Sequence, residues 1–577
     1  MIAHGKGAGV AGAQPGHAGA SGFLRQPGYW VWLLPVLAAI VAHLPALGCD
    51  FVWDDISLIA RHPHIGEPGF LVALFQNDYG LEFGSRHATG YYRPGFMFLV
   101  ALFYRVAGPS PMAYHALSLA IFALTTVCLV RLCRRHAAAA GPWFAMMVGL
   151  LYAVHPARTE VVSFVMSLPD LLIELGAVLA ISLLLREAAT RRDAVLQAAW
   201  LGALAFAAAI SKETGFVLMA VLGGTALAAA CFRPARLPAT VSHVLGLAAG
   251  LGAAAWLRAS ADVAPSPAGA AVLRLFGDGS GVALASAWYA VRDLLIPRPA
   301  VFLHWEYTTA SGLFRIGIVA VAAAFAAALW LALRRGQWLV AMAIAWFGAG
   351  LLNLMLVSTV LRSYDQRYFA VAPGVLLLVS GAFALWQRVC QEPFAGDRKH
   401  ARARRLLAAA AGLYLALFAT YTLTSSATCF NTLSFFHAMA DDYPREPYPR
   451  VATAKALFSY YGDFEGAEEA ARAAIRLRPD IIPVRELGKL LATIRMVEKR
   501  PREALPWLTW AEAAIPDNAE LHHLRGVALR DLDDFCCAAR SFDRALALDP
   551  TNDGSRRLRD ACRAAAATNA PAAVPGP

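Results

Sequence analysis

Charge-free stretches recur along most of this chain. Val31–Leu47, Val106–Val130, Ala137–Ala157, Ala194–Ser211, Thr214–Phe232, Leu237–Leu257, Ile316–Leu333, Gly336–Leu361, Tyr368–Gln387 and Leu406–Ala440 contain no Asp, Glu, Lys or Arg. Each is long enough to cross a hydrocarbon core of about 30 Å as a helix of about 20 residues. Helices are the expected form, because lipid satisfies no backbone hydrogen bond and a helix satisfies its own. Leu171–Leu185 adds a weaker span that contains Glu174, so eleven spans are expected. From about Asp441 the pattern changes: charges return and apolar runs shorten.

That second region repeats. Ala504 and Ala538 lie 34 residues apart, as do Pro516 and Pro550, and an earlier copy with Ala467 and Pro479 precedes the middle one by 37. A period of 34, with small residues where helices cross and a closing Pro, is the tetratricopeptide pattern. Gly462, Phe464, Gly526, Phe535 and Phe542 fit its small and aromatic positions. Stacked helical hairpins of this kind present a concave groove suited to a peptide. The expected fold class is all-α: a polytopic helical membrane domain over residues 29–440, then a tetratricopeptide-repeat α-solenoid over 441–565. Residues 1–28 and 566–577 read as disordered tails. Cys536 and Cys537, adjacent on one helix, read as small-residue packing.

Composition agrees and narrows the class. The chain has 577 residues, 58% of them hydrophobic and only 16% charged, with mean hydropathy +0.50. Average soluble chains are about 45–50% apolar and about 25% charged, and single cores stop growing near about 250–300 residues. A soluble enzyme is excluded. The net charge of +11 is explained by loops. Arg131, Arg134 and Arg135 sit in one connection; Arg186, Arg191 and Arg192 in another; Arg233 with Arg236, and Arg334 with Arg335, mark two more. The largest cluster is Arg388, Arg398, Lys399, Arg402, Arg404 and Arg405. All fall on one side if Gly95–Ala107 lies along the membrane surface, and cytoplasmic loops carry the Lys/Arg excess. The N-terminus is then cytoplasmic and the repeat domain extracytoplasmic, as in an integral protein of a bacterial inner membrane. Nucleic acid is not an expected partner. The nine cysteines show no metal-site or disulfide spacing.

The unusual polar residues gather in the loops opposite the basic clusters. Asp54 and Asp55 follow Trp53 just after the first span; two adjacent carboxylates there could do acid/base work, hold a divalent cation or bind an acceptor hydroxyl. The plainer reading is an N-cap for a helix starting at Ile56. His155, Arg158, Thr159 and Glu160 close one span and open another, with Asp170 and Glu174 following at membrane depth. Capping by Thr159 accounts for part of this, but ionisable groups at that depth are costly and usually functional. Lys212 and Glu213 repeat the theme, although a snorkelling Lys beside a capping Ser211 would suffice. Arg362 and Arg367, the latter beside Tyr368, break the positive-inside pattern; a lipid phosphate would suit such arginines, and an internal pair with Asp365 is the plainer account. Carboxylates plus cations at a bilayer surface are what transfer from a lipid-phosphate donor requires: a cationic pocket for the leaving phosphate and a base for the incoming hydroxyl.

The order of these residues is familiar. Asp54-Asp55, Tyr92-Arg93-Pro94, Tyr114-His115, His155-Pro156 with Thr159-Glu160, Lys212-Glu213 and Arg367-Tyr368, ending in tetratricopeptide repeats, resembles the transmembrane and tetratricopeptide-repeat O-mannosyltransferases and their bacterial relatives. These belong to the GT-C superfamily of membrane glycosyltransferases. The match runs from about residue 29 to 565. It departs from the family in having about three repeats, and in Ser167-Leu168-Pro169-Asp170 where members often carry Gly-Arg before the Asp.

The resemblance implies a glycosyltransferase that uses a polyprenyl-phosphate sugar, mannose in the named family, and a protein or glycan hydroxyl acceptor held by the repeat groove. Asp54 or Asp55 would be the base or acceptor-binding carboxylate. Arg93, His155, Arg158, Glu160, Lys212, Glu213, Arg367 and Tyr368 would bind donor phosphate or substrate. No metal and no cofactor beyond the lipid-linked donor is assigned. Two other classes fit an eleven-span chain less well. A transporter or lipid flippase would place charges at the midplane, and a membrane-anchored scaffold would not need the loop constellation.

Overall fold

The computed structural model describes residues 27–79, 90–264, 268–296, 303–305, 312–361, 363–365, 371–390, 398–428 and 430–568. The tails expected at either end therefore fall almost entirely outside the described residues, as do Arg362, Arg367 and Tyr368. The longer helices of the membrane region are α1 (Pro27–His43), α2 (Pro94–Ala107), α3 (Pro111–His136), α4 (Gly141–Ala153), α5 (Leu168–Leu184), α6 (Arg191–Ser211), α7 (Glu213–Cys231), α8 (Leu237–Ala259), α9 (Ser280–Leu295), α10 (Gly312–Arg334), α11 (Trp338–Leu361), α12 (Val371–Cys390) and α13 (Arg398–Thr428). The fold is all-α apart from a ladder of two three-residue strands, Leu303–Trp305 antiparallel to Ser363–Asp365.

Among the described residues, nine helices are long and apolar enough to cross a membrane. A tenth candidate is broken: Ala138–Ala153 and Pro156–Ser163 meet at 61°. Val371–Gln387 is a shorter apolar helix. The stretch read as one span over Leu406–Ala440 ends instead at Thr428, because Asn431 starts a new helix, Thr432–Asp442, with a reciprocal cap to Ser434. Helix α2 has 14 residues, about 21 Å at 1.5 Å per residue, too short for a span. It buries Phe96, Met97, Val100 and Ala101 and leaves Phe98, Leu102 and Val106 exposed along its other face.

The break after α4 is held by neighbours. A helix interrupted in an apolar core frees carbonyls that must find donors. His43 Nε2 lies 3.2 Å from the Ala153 carbonyl oxygen, and the Thr422 hydroxyl donates to the Val154 carbonyl at 2.7 Å. His155 Nδ1 accepts from the Ala157 amide at 3.2 Å and so caps the short turn Pro156–Arg158. Helices α6 and α8 meet through small residues: a Cβ on Gly250 would strike the Gly202 carbonyl oxygen, and one on Gly246 that of Ala198. Gly246 and Gly250 are four apart on α8, the spacing that lets membrane helices approach closely. Gly250→Val is expected to overpack this contact and destabilise the protein by about 1–3 kcal/mol, read as a lower melting temperature in detergent.

Beyond Thr432–Asp442 the chain folds into packed helical hairpins: Tyr448–Ala456 with Phe464–Leu477, Leu487–Val497 with Pro501–Glu512, and Ala519–Arg530 with Phe535–Leu548, followed by Asp553–Thr568. Ala467, Ala504 and Ala538, the repeated alanines, are each fully buried. Asp463 and Asp534 cap the second helices of the first and third hairpins with their side chains, whereas the middle copy has Arg500 there and no such cap. Gly526 faces Phe542 so closely that a Cβ would sit 2.6 Å from the ring. Cys536 is exposed rather than packed.

Candidate functional site

The acidic motif lies where the membrane helices meet the first post-membrane helices. Its backbone is fixed from residues far along the chain: the Asp50 amide donates to the Phe430 carbonyl at 2.8 Å, and the Trp53 amide to the Thr432 hydroxyl at 2.9 Å. Trp53 holds φ at 51°, a left-handed conformation that costs a bulky side chain about 1–2 kcal/mol. Its ring packs against Phe164, Phe435, Phe436 and Tyr448, with centroids 5.4–6.4 Å away. A single five-residue π-helical turn, Ile56–Ala60, follows. Strain of this kind persists where packing over-determines it, and it clusters at functional sites.

The strained turn sends the two carboxylates to different places. Asp55 is fully buried and accepts from the amides of Val165 at 3.0 Å and Met166 at 2.9 Å. Its side chain does not cap the Ile56 helix; it caps instead, at long range, the turn that opens α5. Burial pushes the Asp55 carboxyl up to about 8, against the pull of those two donors. Asp54 stays exposed, yet desolvation by surrounding protein pushes its carboxyl up to about 6. Exposure together with desolvation describes a recess rather than open surface. Asp55→Ala is expected to leave the buried Val165 amide without an acceptor, at about 1–3 kcal/mol, and the part-buried Met166 amide as well. Its melting temperature should fall further than that of Asp55→Asn, which keeps one acceptor oxygen.

A charged network stands beside the acidic motif. Tyr79 feels the charges of Arg93, Asp54, Glu213 and Asp55, and its hydroxyl lies 3.4 Å from the Met166 sulfur. Arg93 pairs with Glu213 at 3.0 Å, and its guanidinium lies 5.3 Å from the Tyr79 ring centroid and 4.7 Å from that of Tyr91. Lys212 does not snorkel: its Nζ donates to both Asp170 oxygens, at 2.7 and 2.8 Å. Adjacent residues thus engage opposite partners, Lys212 an acid on α5 and Glu213 a base ahead of α2. Arg258, at the end of α8, donates to the Gly90 carbonyl at 2.9 Å and the Ala264 carbonyl at 3.5 Å. No ion pair engages it among the described residues.

Other sequence candidates lie deeper. Arg158 is fully buried and paired with Glu174 at 2.8 Å, its side chain turned into the helical core rather than toward the surface. His155 is buried at the helix break, 3.4 Å from the Leu294 carbonyl, and Glu160 is buried in the first turn of Thr159–Ser163. Thr159 makes no side-chain cap. The structure therefore brings together Asp54, Asp55, Arg93, Lys212 and Glu213, and sets His155, Arg158 and Glu160 at the broken helix behind them. Tyr79, Met166 and Arg258 were missed by sequence reasoning: an isolated Tyr or Met has no signature, and Arg258 looks like a helix-terminal charge. Among the described residues no His, Cys, Asp or Glu group converges to hold a metal.

Beside Trp53 is a cavity of about 390 Å³, lined by Trp53, Phe436, Tyr448, Lys455, Ser459 and Tyr460 among others. Arg61 closes one flank by donating to the Ser459 and Tyr460 carbonyls at 3.0 and 3.1 Å. The acidic loop and the first helical hairpin after the membrane helices thus share one recess.

No family model matches the chain. The chain is similar to several curated proteins that carry the name protein O-mannosyl-transferase, in agreement with the resemblance drawn from residue order. Protein O-mannosyl-transferase TMTC3 of Mus musculus is 33% identical over 128 residues, 22% of this chain and 14% of the relative. Protein O-mannosyl-transferase F38B6.6 of Caenorhabditis elegans is 25% identical over 199 residues, 34% of this chain and 28% of the relative. Protein O-mannosyl-transferase tmtc2 of Xenopus laevis is 28% identical over 195 residues, 33% of this chain and 23% of the relative. The chain thus spans between 14% and 28% of the length of these relatives.

Proposed function

We propose that the chain is an integral membrane glycosyltransferase that moves a sugar from a polyprenyl-phosphate donor to a hydroxyl on a protein or glycan outside the cytoplasm. Mannose is the first sugar to test, because the similar proteins are named for it. The observation that carries this reading is Asp54: an accessible carboxylate, desolvated to about 6, set by a strained turn where the membrane helices end. A general base works best with a pKa near the operating pH. Asp54 would take the proton of the acceptor hydroxyl as its oxygen bonds to the anomeric carbon, while the carbon–oxygen bond to phosphate breaks and polyprenyl phosphate departs. Asp55 would position that base by fixing the loop to α5.

Arg93, Lys212 and Arg258 are the cations proposed to face the phosphate; Arg367 and Tyr368, which the sequence also nominates, lie outside the described residues. Glu213 and Asp170 hold Arg93 and Lys212 in place. The recess beside Trp53 would admit the acceptor, and the helical hairpins would hold the rest of an acceptor polypeptide. The excess of Arg on the opposite helix ends favours a cytoplasmic N-terminus and an extracytoplasmic repeat region, in a bacterial inner membrane.

The test is transfer by the purified full chain in nanodiscs, supplied with polyprenyl-phosphate [³H]mannose and secreted proteins from a strain lacking the gene. Labelled protein or glycan is the expected result. No transfer from any polyprenyl-phosphate sugar, with an unchanged set of envelope glycans in the deletion strain, would overturn the reading.

A further inference from the structure

A second cavity, of about 450 Å³, lies at the opposite helix ends. Helix α5 begins beside Asp170 and ends there, with Leu185 just past its last turn; α7 begins at Glu213 and ends there at Cys231, with Arg233 just beyond; α4 begins there near Phe144 and ends at the break by His155. The turn between α10 and α11 and the last turns of α12 complete the wall. Several of the basic connections expected on one face of the membrane domain therefore share one chamber.

The lining has a definite chemistry. It contains Arg233 and Arg236 but no carboxylate. Arg236 is engaged by Glu187 at the rim. Arg233 makes no ion pair among the described residues; its guanidinium lies 4.6 Å from the Trp338 ring centroid, which fixes its position without neutralising its charge. Two more lining side chains carry buried polar atoms with no partner among the described residues, Trp338 Nε1 and His136 Nε2. An indole N–H can only donate, and so can a guanidinium. The buried Trp338 Nε1 without an acceptor is costly, and the exposed Arg233 at the chamber adds a positive charge, so the chamber suits an occupant rich in acceptor oxygens and negatively charged. Phe144, Phe383 and Leu339 supply an apolar wall beside these donors.

We propose that this chamber binds the phosphate headgroup of an anionic phospholipid, with Arg233 and Trp338 Nε1 donating to its oxygens and the acyl chains running along Phe144 and Phe383. Basic pockets between membrane helices on the cytoplasmic side bind such headgroups. The site is separate from the acidic motif and stands whether or not that motif transfers sugar.

Native mass spectrometry of the purified full chain, equilibrated with phosphatidylglycerol or with phosphatidylcholine, tests it. The wild type should retain phosphatidylglycerol preferentially. Arg233→Ala and Trp338→Phe should each lower that retention by about tenfold, the loss of one charge-assisted or buried hydrogen bond. Trp338→Phe keeps an aromatic ring under Arg233, so unchanged melting behaviour there separates a lost contact from a lost fold. Arg191→Ala, on the same basic face but outside the chamber, should leave retention unchanged. Equal retention of the two lipids, or an equal drop in Arg191→Ala, would overturn the proposal. So would displacement of phosphatidylglycerol by millimolar inorganic phosphate, which would mark a site for free phosphate instead of lipid.

Discussion

Asp54→Asn is expected to lower sugar transfer by about 10²–10⁴-fold, the usual worth of a positioned general base, with donor binding and melting temperature close to wild type. Asparagine keeps the shape of the side chain and the strained turn at Trp53, so only proton acceptance is removed. In the wild type, transfer should rise with pH through about 6, as the Asp54 carboxyl loses its proton, and level off above. The sign follows from the role: a base works only when ionised, so protonating it on the acid side stops the reaction. The limb should vanish in Asp54→Asn, leaving a low, flat profile. A single-turnover measurement with preformed donor complex separates kcat from donor affinity. Full activity in Asp54→Asn, or a fall confined to donor affinity, would remove Asp54 from the role of base and leave it as an acceptor contact.

The difference between Asp54 and Asp55 could not have been read from their adjacency. Two neighbouring carboxylates in a loop look equivalent until the backbone is known, and here one left-handed residue, Trp53, turns one inward and leaves the other accessible. The spans were legible because lipid imposes a local rule: an apolar run of helical length must be helical. The recurring alanines Ala467, Ala504 and Ala538 are all buried in the helical hairpins, because a small residue is needed where two helices cross. Pairings were not. Lys212 meets Asp170 across 42 residues, and Arg93 meets Glu213 across 120. Such contacts depend on which helices are neighbours, which no local pattern encodes. The break at Val154 carried only half of its signal for the same reason. His155-Pro156 looks like a span end, and what permits a bend there is His43 and Thr422, supplied by other helices. The glycine contact between α6 and α8 did have a signal, the Gly246–Gly250 spacing, hidden in a helix rich in alanine.

Glu174→Ala is expected to destabilise the membrane domain by about 3–5 kcal/mol, because removing one partner of a buried ion pair strands the other charge. Arg158 and Glu174 are both fully buried. The pair is doubly bonded, at 2.8 and 3.3 Å, and the Tyr152 hydroxyl donates to Glu174 at 2.6 Å. The rings of Phe122 and Tyr152 flank the guanidinium, with centroids 5.7 and 5.1 Å away. The pair ties the broken helix to α5, and so sets the backbone at Val165 and Met166 that anchors Asp55. Thermal unfolding in bicelles should show a large drop for Glu174→Ala and for Arg158→Ala. The double variant Arg158→Met/Glu174→Leu should recover most of it, since apolar replacement of a whole buried pair is often neutral. That double variant also decides what Arg158 does. If the arginine only holds the helix break in place, restored stability brings back donor affinity with it. If it reaches the donor phosphate, the protein refolds but its donor affinity stays low. Its burial and double bond to Glu174 argue for the first outcome.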